Sequence, residues 1–445
     1  MSTLGALLPH LETAVPGPAS ALLVDTLAAT ECPALTLRRA RRAERSGAPQ
    51  DPIVWHEASG ANVVDADGNR FVDLSAGFGA AAVGHAHPRV VSAVQAQAGR
   101  LLHALGDLQP SDVKVALLAR LAELAPFSQA RVMLGLSGAD AVEAALKTAL
   151  LYTGKPGVVA FEGAYHGLSH GPLAACGYSA AFRAPFAAQL NPHVAFAPYP
   201  AADASLDAVL AAVEHAIDGV QAGVGVVLVE PVLGRGGVIV PPAGFLSGLA
   251  ALCQRRGVLL AIDEIMTGVG RTGSFLRCTS EGVQPDLLCL GKALGGGLPV
   301  SACLGRAEIM QAWGDPGHEA LHTATFFGNP LGAAAALATL EVVHDEKLAE
   351  RARVMGASLL DALEIACKRH AAVSGIRGAG LLLGIELRSG AQALGLSRAL
   401  LSHGYITVPA GADARVVSLT PPLTIAQPQL YGFVAALDAC LGALP

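Results

Sequence analysis

From Ser75 onward the chain alternates short, almost purely apolar runs with longer stretches whose apolar residues recur at helical spacing. The runs Val132–Leu136, Gly157–Phe161, Gly223–Glu230, Val258–Asp263, Leu287–Leu290 and Val300–Gly305 predict strands. Ala139–Leu151, Leu206–Ile217 and Leu246–Arg256 predict helices between them. Strands that are apolar on both faces and separated by helices imply an α/β fold with a mostly parallel sheet covered on both sides. Before that region, Trp55 to Leu74 alternates apolar and polar residues around Asp67-Gly68-Asn69, which predicts a hairpin. Residues 1–50, with Pro16, Pro18 and Pro33, predict a helix or two plus an arm. After Pro330 comes a long helical region, Leu331 to His370, then strand-like runs Leu381–Leu387, Tyr405–Val408 and Val416–Leu419, and a closing helix Gln427–Leu441. The expected division is an N-terminal segment (1–74) contributing to a smaller domain or to subunit contacts, a large domain (75–330) and a smaller C-terminal α+β domain (331–445).

Composition narrows the setting. Hydrophobic residues make up 52% of the 445 positions and charged residues 15%, with a mean hydropathy of +0.47. Such a chain either enters a membrane or hides much of its surface. No apolar run reaches the roughly 18 residues of a spanning helix. The richest stretch, Gly328 to Leu340, is mostly alanine and opens with Asn329-Pro330. The expectation is therefore no membrane, and a dimer or higher homo-oligomer with a wide interface. The net charge of −6 does not favour nucleic acid, and the cluster Arg38, Arg39, Arg41, Arg42 and Arg45 reads as a solvated helix or a subunit-contact arm. The eight cysteines are scattered, none in a CxxC pair. They read as small core residues in a reducing compartment, and no metal site is expected. The N-terminus lacks the cationic start and apolar core of an export signal, which points to the cytoplasm.

The polar exceptions to the apolar strands fall at strand C-termini, where sheets of this kind bind ligands. Asp263 and Lys292 are the most informative pair. An amine that can form an imine, beside a carboxylate that can keep a pyridine nitrogen protonated, is what pyridoxal phosphate requires. Asp263 also has the bland reading of a cap to the turn that follows. Lys292, beside Gly291 and Gly295 to Gly297, fits poorly as a lysine merely reaching for solvent. Ser137-Gly138-Ala139-Asp140 joins a strand to a helix and suits a phosphate or an ordinary helix cap. Tyr165, in Gly163-Ala-Tyr-His-Gly167, is either a stacking or a core aromatic. Glu230 either orders a neighbour's proton or binds backbone. Thr323 and Thr325, before Asn329-Pro330, bind a phosphate or simply occupy a turn.

Taken together these residues resemble the class III aminotransferases, or ω-aminotransferases, among the fold-type I pyridoxal-phosphate enzymes. The resemblance runs from about Trp55 to Leu423. It is carried by Ser75-Ala-Gly-Phe with Gly84-His-Ala-His-Pro88, Ser137-Gly-Ala-Asp-Ala-Val-Glu143, Ala164-Tyr-His-Gly167 and Glu230-Pro231. It continues through Asp263-Glu264, Thr267-Gly268, Gly270-Arg-Thr-Gly273, Pro285 through Lys292 to Pro299, Thr325 to Pro330, Arg377-Gly-Ala-Gly380 and Pro421-Pro-Leu423. It implies a large domain with a mostly parallel seven-stranded sheet, a smaller α+β domain, and pyridoxal 5′-phosphate as cofactor. By position it implies Lys292 as the Schiff-base and proton-shuttling residue, Asp263 at the pyridinium, and Tyr165 on the ring with His166 and Glu230 near it. Ser137, Gly138 and Ala139 would lie at the phosphate, Met266 near the ring hydroxyl, and Thr325 at the phosphate of a partner subunit.

The substrate pocket departs from the family pattern. Members acting on glutamate often carry arginine three residues before Pro-Pro-Leu, where this chain has Ser418. The glutamate that pairs with that arginine is replaced by Arg235, and an arginine found in several members after Tyr-His-Gly is replaced by Leu168. A desolvated carboxylate without a guanidinium loses roughly 2–5 kcal/mol of binding, which argues against the usual glutamate/2-oxoglutarate pairing. Arg235 is expected to replace the anchor, with a solvent-facing Arg235 or a contribution from Arg415 as alternatives. Phe78 is expected to line the pocket and favour apolar substrate groups. The expected activity is amino-group transfer from an amine or amino acid to a 2-oxo acid. An amino-acid racemase or epimerase is the alternative, followed by a decarboxylase and, last, a non-enzymatic binding protein.

Overall fold

A computed structural model describes residues 4–35, 52–314, 317 and 320–444. The cluster Arg38 to Arg45 lies outside them. The central sheet has seven strands: β4 (Ala130–Gly135), β5 (Gly157–Phe161), β6 (Val194–Ala197), β7 (Val224–Val229), β8 (Leu259–Asp263), β9 (Leu287–Leu290) and β10 (Ser301–Arg306). Their order is β4-β10-β9-β8-β7-β5-β6. Strands β9, β8, β7, β5 and β6 run parallel, and β10 runs antiparallel to both neighbours.

The two-residue period of these strands divides their side chains between two apolar layers. Val227, Val229, Leu260, Ile262, Leu288 and Leu290 enter the larger core, with Val209, Val213 and Ile217 of helix Leu206–Gly219 and Leu246, Leu249 and Leu252 of helix Phe245–Arg256. The alternate residues Val226, Leu228, Ala261, Leu287 and Cys289 face the alanine-rich side of helix Gly138–Thr153. Both faces are therefore covered, which leaves the strand ends to carry polar groups.

Two further sheets flank this layer. β1 (Trp55–Ser59), β2 (Asn62–Asp65) and β3 (Arg70–Asp73) form an antiparallel ribbon, so the expected hairpin has a third strand, set off by the turn at Gly60. The remaining sheet is β11-β12-β15-β14, from β11 (Val373–Ala379), β12 (Leu382–Leu387), β14 (Val408–Ala410) and β15 (Val416–Leu419). The expected strand Tyr405–Val408 is split. β13 (Tyr405–Ile406) leaves to pair in parallel with β3, while Val408 begins β14. Strands β6 and β11 are not anticipated by the apolar pattern. β6 is four residues on the sheet edge, and β11, Val-Ser-Gly-Ile-Arg-Gly-Ala, carries two glycines and an arginine. The long region from Leu331 is two helices, Pro330–Asp345 and Leu348–Cys367, broken where Lys347 adopts φ +49°.

The N-terminal residues include helix Pro18–Thr30 and are held by buried amides. Asn62 Oδ1 accepts from the Gly5 and Leu7 N–H groups, and Asn69 Oδ1 from those of Glu12 and Thr13. Among the described residues no helix is long and apolar enough to cross a membrane. All eight cysteines are free and all but Cys32 are buried.

Candidate active site

Asp263 is the last residue of β8, and its carboxylate is buried with two partners. Oδ2 lies 2.8 Å from His166 Nδ1, and Oδ1 accepts from the Ile265 N–H at 3.0 Å. A carboxylate can only accept, so the pair assigns the imidazole proton to Nδ1. His166 Nε2 is buried and has no hydrogen-bond partner among the described residues. The capping reading of Asp263 and its role as a buried charge therefore hold together, one on each oxygen.

Glu230 follows β7 directly. Its Oε1 accepts from the Tyr165 N–H at 2.8 Å and its Oε2 from the Gly234 N–H at 3.1 Å, while its carbonyl accepts from the Tyr199 hydroxyl at 2.9 Å. Its side-chain bonds are thus the backbone ones, and they fix the loop that carries Tyr165. Burial pushes the Glu230 carboxyl up to about 7; His166 opposes the shift and Asp263 adds to it.

Lys292 opens the short turn Lys292–Gly295 after β9, with φ +41°. Burial of its amine lowers the pKa from the ordinary lysine value; Asp263 and Glu230 oppose the shift, and Arg235 adds to it. A lysine so placed is more readily a neutral nucleophile. Gly79 lies beside it: a Cβ there would make ordinary contact with Lys292 Cδ at 3.8 Å and Met266 Sδ at 3.4 Å, so its φ of +84°, not lack of space, is what favours glycine. Met266 is thereby placed beside the lysine stem.

Ser137 is occupied by a local task. Its Oγ accepts from the Asp140 N–H at 3.2 Å, and Asp140 Oδ2 accepts in return from the Ser137 N–H at 2.8 Å, a reciprocal cap on helix Gly138–Thr153. The Gly138 and Ala139 N–H groups are left as the donors at this helix start, without partners among the described residues. Gly138 also lets the helix approach the β8 loop, because a Cβ there would come within 2.8 Å of Ile265 Cδ1.

On the substrate side, Arg235 does not point away into solvent. Its guanidinium carbon lies 4.3 Å from the Tyr165 ring centroid, 4.9 Å from that of Tyr178 and 5.7 Å from that of Phe182. Tyr178 and Phe182 are additions that no motif announces. The Tyr178 hydroxyl donates to the Gly411 carbonyl at 2.8 Å, and the Gly411 N–H donates to the Arg235 carbonyl at 2.9 Å. The alternative anchor, Arg415, is engaged elsewhere. Its Nη2 is 3.1 Å from Glu386 Oε1, and Arg377 takes the other oxygen of Glu386 at 2.5 Å. Ser418 is buried in β15, opposite Gly384 and Val408. Phe78 is 62% exposed. Thr325 lies in an exposed turn beside a depression it lines with His103, Ser111 and Lys114.

These groups fit pyridoxal 5′-phosphate. A buried amine faces a buried anion braced by histidine, and two unpaired amides at a helix start supply donors for a phosphate. The sequence profile of the aminotransferase class-III family matches residues 44–441. The acetylornithine aminotransferase of Mycobacterium tuberculosis is 41% identical over 394 residues, 88% of this chain and 92% of that one. The 4-aminobutyrate aminotransferase of the same organism is 37% identical over 439 residues, 94% of each. Among solved structures, an amine transaminase from an uncultivated Pseudomonas species, in its pyridoxal-phosphate-bound internal aldimine form, superimposes with a TM-score of 0.83 at 29% identity over 88% of this chain and 95% of that one.

Proposed function

Because this chain belongs to the class-III aminotransferase family, we propose that its pyridoxal-phosphate-dependent amino transfer takes place at the cluster around Lys292. The observation that carries the assignment is the buried amine of Lys292 set among Asp263, His166 and Glu230. The family and the relatives are aminotransferases, which removes the racemase or epimerase weighed from the sequence. When bound, pyridoxal 5′-phosphate supplies an electron sink for the pair left behind when the substrate carbon loses its proton.

The chain's own groups then have separable tasks. Lys292 binds the cofactor covalently at rest and afterwards moves the proton at the reacting carbon, its lowered pKa favouring the neutral amine that accepts it. Asp263, held in orientation by His166, keeps the proton on the ring nitrogen. Tyr165 covers the ring, with its backbone fixed by Glu230. The Gly138 and Ala139 amides bind the phosphate, and the Ser137 hydroxyl, whose oxygen accepts from the Asp140 N–H, keeps its O–H free to donate there. Thr325, exposed in its turn, serves the phosphate of a second subunit, so the working unit is a homodimer. The exposed Phe78 is consistent with a mouth completed by that partner. Residues 75–330 form the cofactor domain, and 331–445 with 1–74 the smaller one, joined by the β13–β3 pairing. The cytoplasm remains the expected location.

For the substrate, Arg235 receives a carboxylate of the donor or of the 2-oxo acid. It is the guanidinium nearest Tyr165, while Ser418 carries no charge and Arg415 is tied to Glu386. The two relatives are named for acetylornithine and 4-aminobutyrate. Those two donors and a primary amine without a carboxylate therefore form the first panel. Single-turnover reaction of the holoenzyme with each donor is expected to convert the cofactor stoichiometrically to its amine form and release a carbonyl product. Racemisation without carbonyl release would overturn the proposal.

A further inference from the structure

Residues 76–79 form a left-handed turn, with φ +43° at Ala76, +56° at Gly77, +62° at Phe78 and +84° at Gly79. Ala76 and Phe78 adopt this conformation against the clash of Cβ with the backbone, and a run of this kind persists only when its surroundings enforce it. The enforcing group is Asp73, at the end of β3 and fully buried. Its Oδ1 accepts from the Ser75 N–H at 2.7 Å and from the Ser75 hydroxyl at 2.6 Å. Its Oδ2 accepts from the Gly77 N–H at 3.2 Å and lies 2.8 Å from His85 Nε2.

His85 is itself fixed from two sides. Its backbone exchanges two 2.8 Å hydrogen bonds with Gly60, and its ring meets that of Trp55 edge-on at 5.7 Å. The Ser75 carbonyl completes the frame, accepting from the Gly79 N–H and from the Thr420 hydroxyl, each at 2.8 Å. One carboxylate thus takes on four donors to hold a strained turn.

Ala76 and Gly79 of that turn are buried, yet Phe78 at its crest is left 62% exposed. Its next residue, Gly79, is the one that lies beside Lys292 and Met266. Strain concentrated beside a reactive amine and supported from behind is the pattern of a positioned site rather than of a packing defect. We propose that Asp73, braced by His85, is a positioning residue for amino transfer: it fixes the left-handed turn that carries Phe78 next to Gly79, the neighbour of Lys292, and so sets the affinity for apolar substrate groups. This rests on the assignment of Lys292 as the reacting amine.

The test compares Asp73→Asn with wild type as holoenzymes, using an arylalkyl primary amine and a small aliphatic primary amine as donors. The asparagine keeps one acceptor oxygen but cannot serve all four donors. The KM for the aromatic donor is expected to rise about tenfold, with kcat and the KM for the small donor nearly unchanged. The same substitution in a Phe78→Ala background is expected to have no further effect on aromatic KM, because the ring it positions is gone. His85→Ala, which leaves the carboxylate in place, is expected to give a smaller rise of about threefold and supplies the test if Asp73→Asn fails to fold. A uniform fall in kcat for both donors, an unchanged aromatic KM, or an undiminished effect in the Phe78→Ala background would overturn the proposal. Borohydride labelling of Lys292 in wild type separates this from failure of the site assignment itself, which would show as no label there.

Discussion

The cofactor end and the substrate mouth of this site are built by opposite means. At the cofactor end, Glu230 follows β7, Asp263 ends β8 and Lys292 lies two residues past β9, three adjacent strands whose apolar residues leave little freedom in where these side chains lie. The two buried carboxylates there have partners on both oxygens. At the mouth, Phe78, Arg235 and Ser418 come from a strained turn, a loop and a strand of another sheet, and aromatic faces and long-range backbone contacts hold them. The cofactor end is therefore rigid and intolerant of change. The mouth holds Ser418 and Arg235 where the sequence departs from the family pattern, and substitutions there are expected to alter preference before they abolish chemistry.

The contrast predicts a graded series of defects. Lys292→Ala removes both the covalent anchor and the proton carrier, and turnover is expected to fall by more than about 10³-fold for every donor. A residual activity near wild type would break the contrast at its strongest point. Asp263→Asn keeps the shape but removes the charge that His166 and the ring nitrogen face, and kcat is expected to fall roughly 10²- to 10⁴-fold with weakened cofactor retention. Equilibrium dialysis of the cofactor alongside steady-state kinetics checks both halves.

At the mouth, Arg235→Ala is expected to raise KM at least about 30-fold for a carboxylate-bearing substrate and to leave a primary amine without a carboxylate almost unaffected. Arg235→Lys should recover only part of the loss, since the planar guanidinium both stacks on Tyr165 and binds carboxylate by two bonds. An unchanged KM for both substrate types would remove Arg235 from the pocket.

The smallest expected effect is on stability. The Glu230 carboxyl, near 4.5 when unfolded, is raised to about 7 in the fold. Between those values the folded state holds a proton that the unfolded chain has released, so this group's contribution to stability falls as pH rises from 4.5 to 7. Glu230→Gln is expected to flatten that part of the thermal-unfolding profile while lowering overall stability by about 1–3 kcal/mol, because one backbone N–H loses its acceptor.

Legibility in the sequence follows the same division. Asp263, Lys292 and Glu230 stand out because a charged residue ending a buried strand has few bland explanations, and the strand pattern alone puts all three on one edge of the sheet. The seven-stranded sheet itself follows from the resemblance. His166 is named by its motif, but its pairing with Asp263 joins residues 97 positions apart and has no local signal. Tyr178 and Phe182 are invisible for the same reason, since nothing near them marks a partner in Arg235. Ser137 is legible as a helix cap, and its oxygen does cap its own helix while its O–H stays free to donate. Strand β11 and the break at Lys347 escape because glycine-rich edge strands and single left-handed residues leave no periodic trace.

The account stands or falls on which amine carries the cofactor. Reduction of the holoenzyme with borohydride, followed by proteolysis and peptide mapping, is expected to place one stable pyridoxyl label per chain on Lys292. A label on any other lysine, or none in fully loaded enzyme, would contradict it.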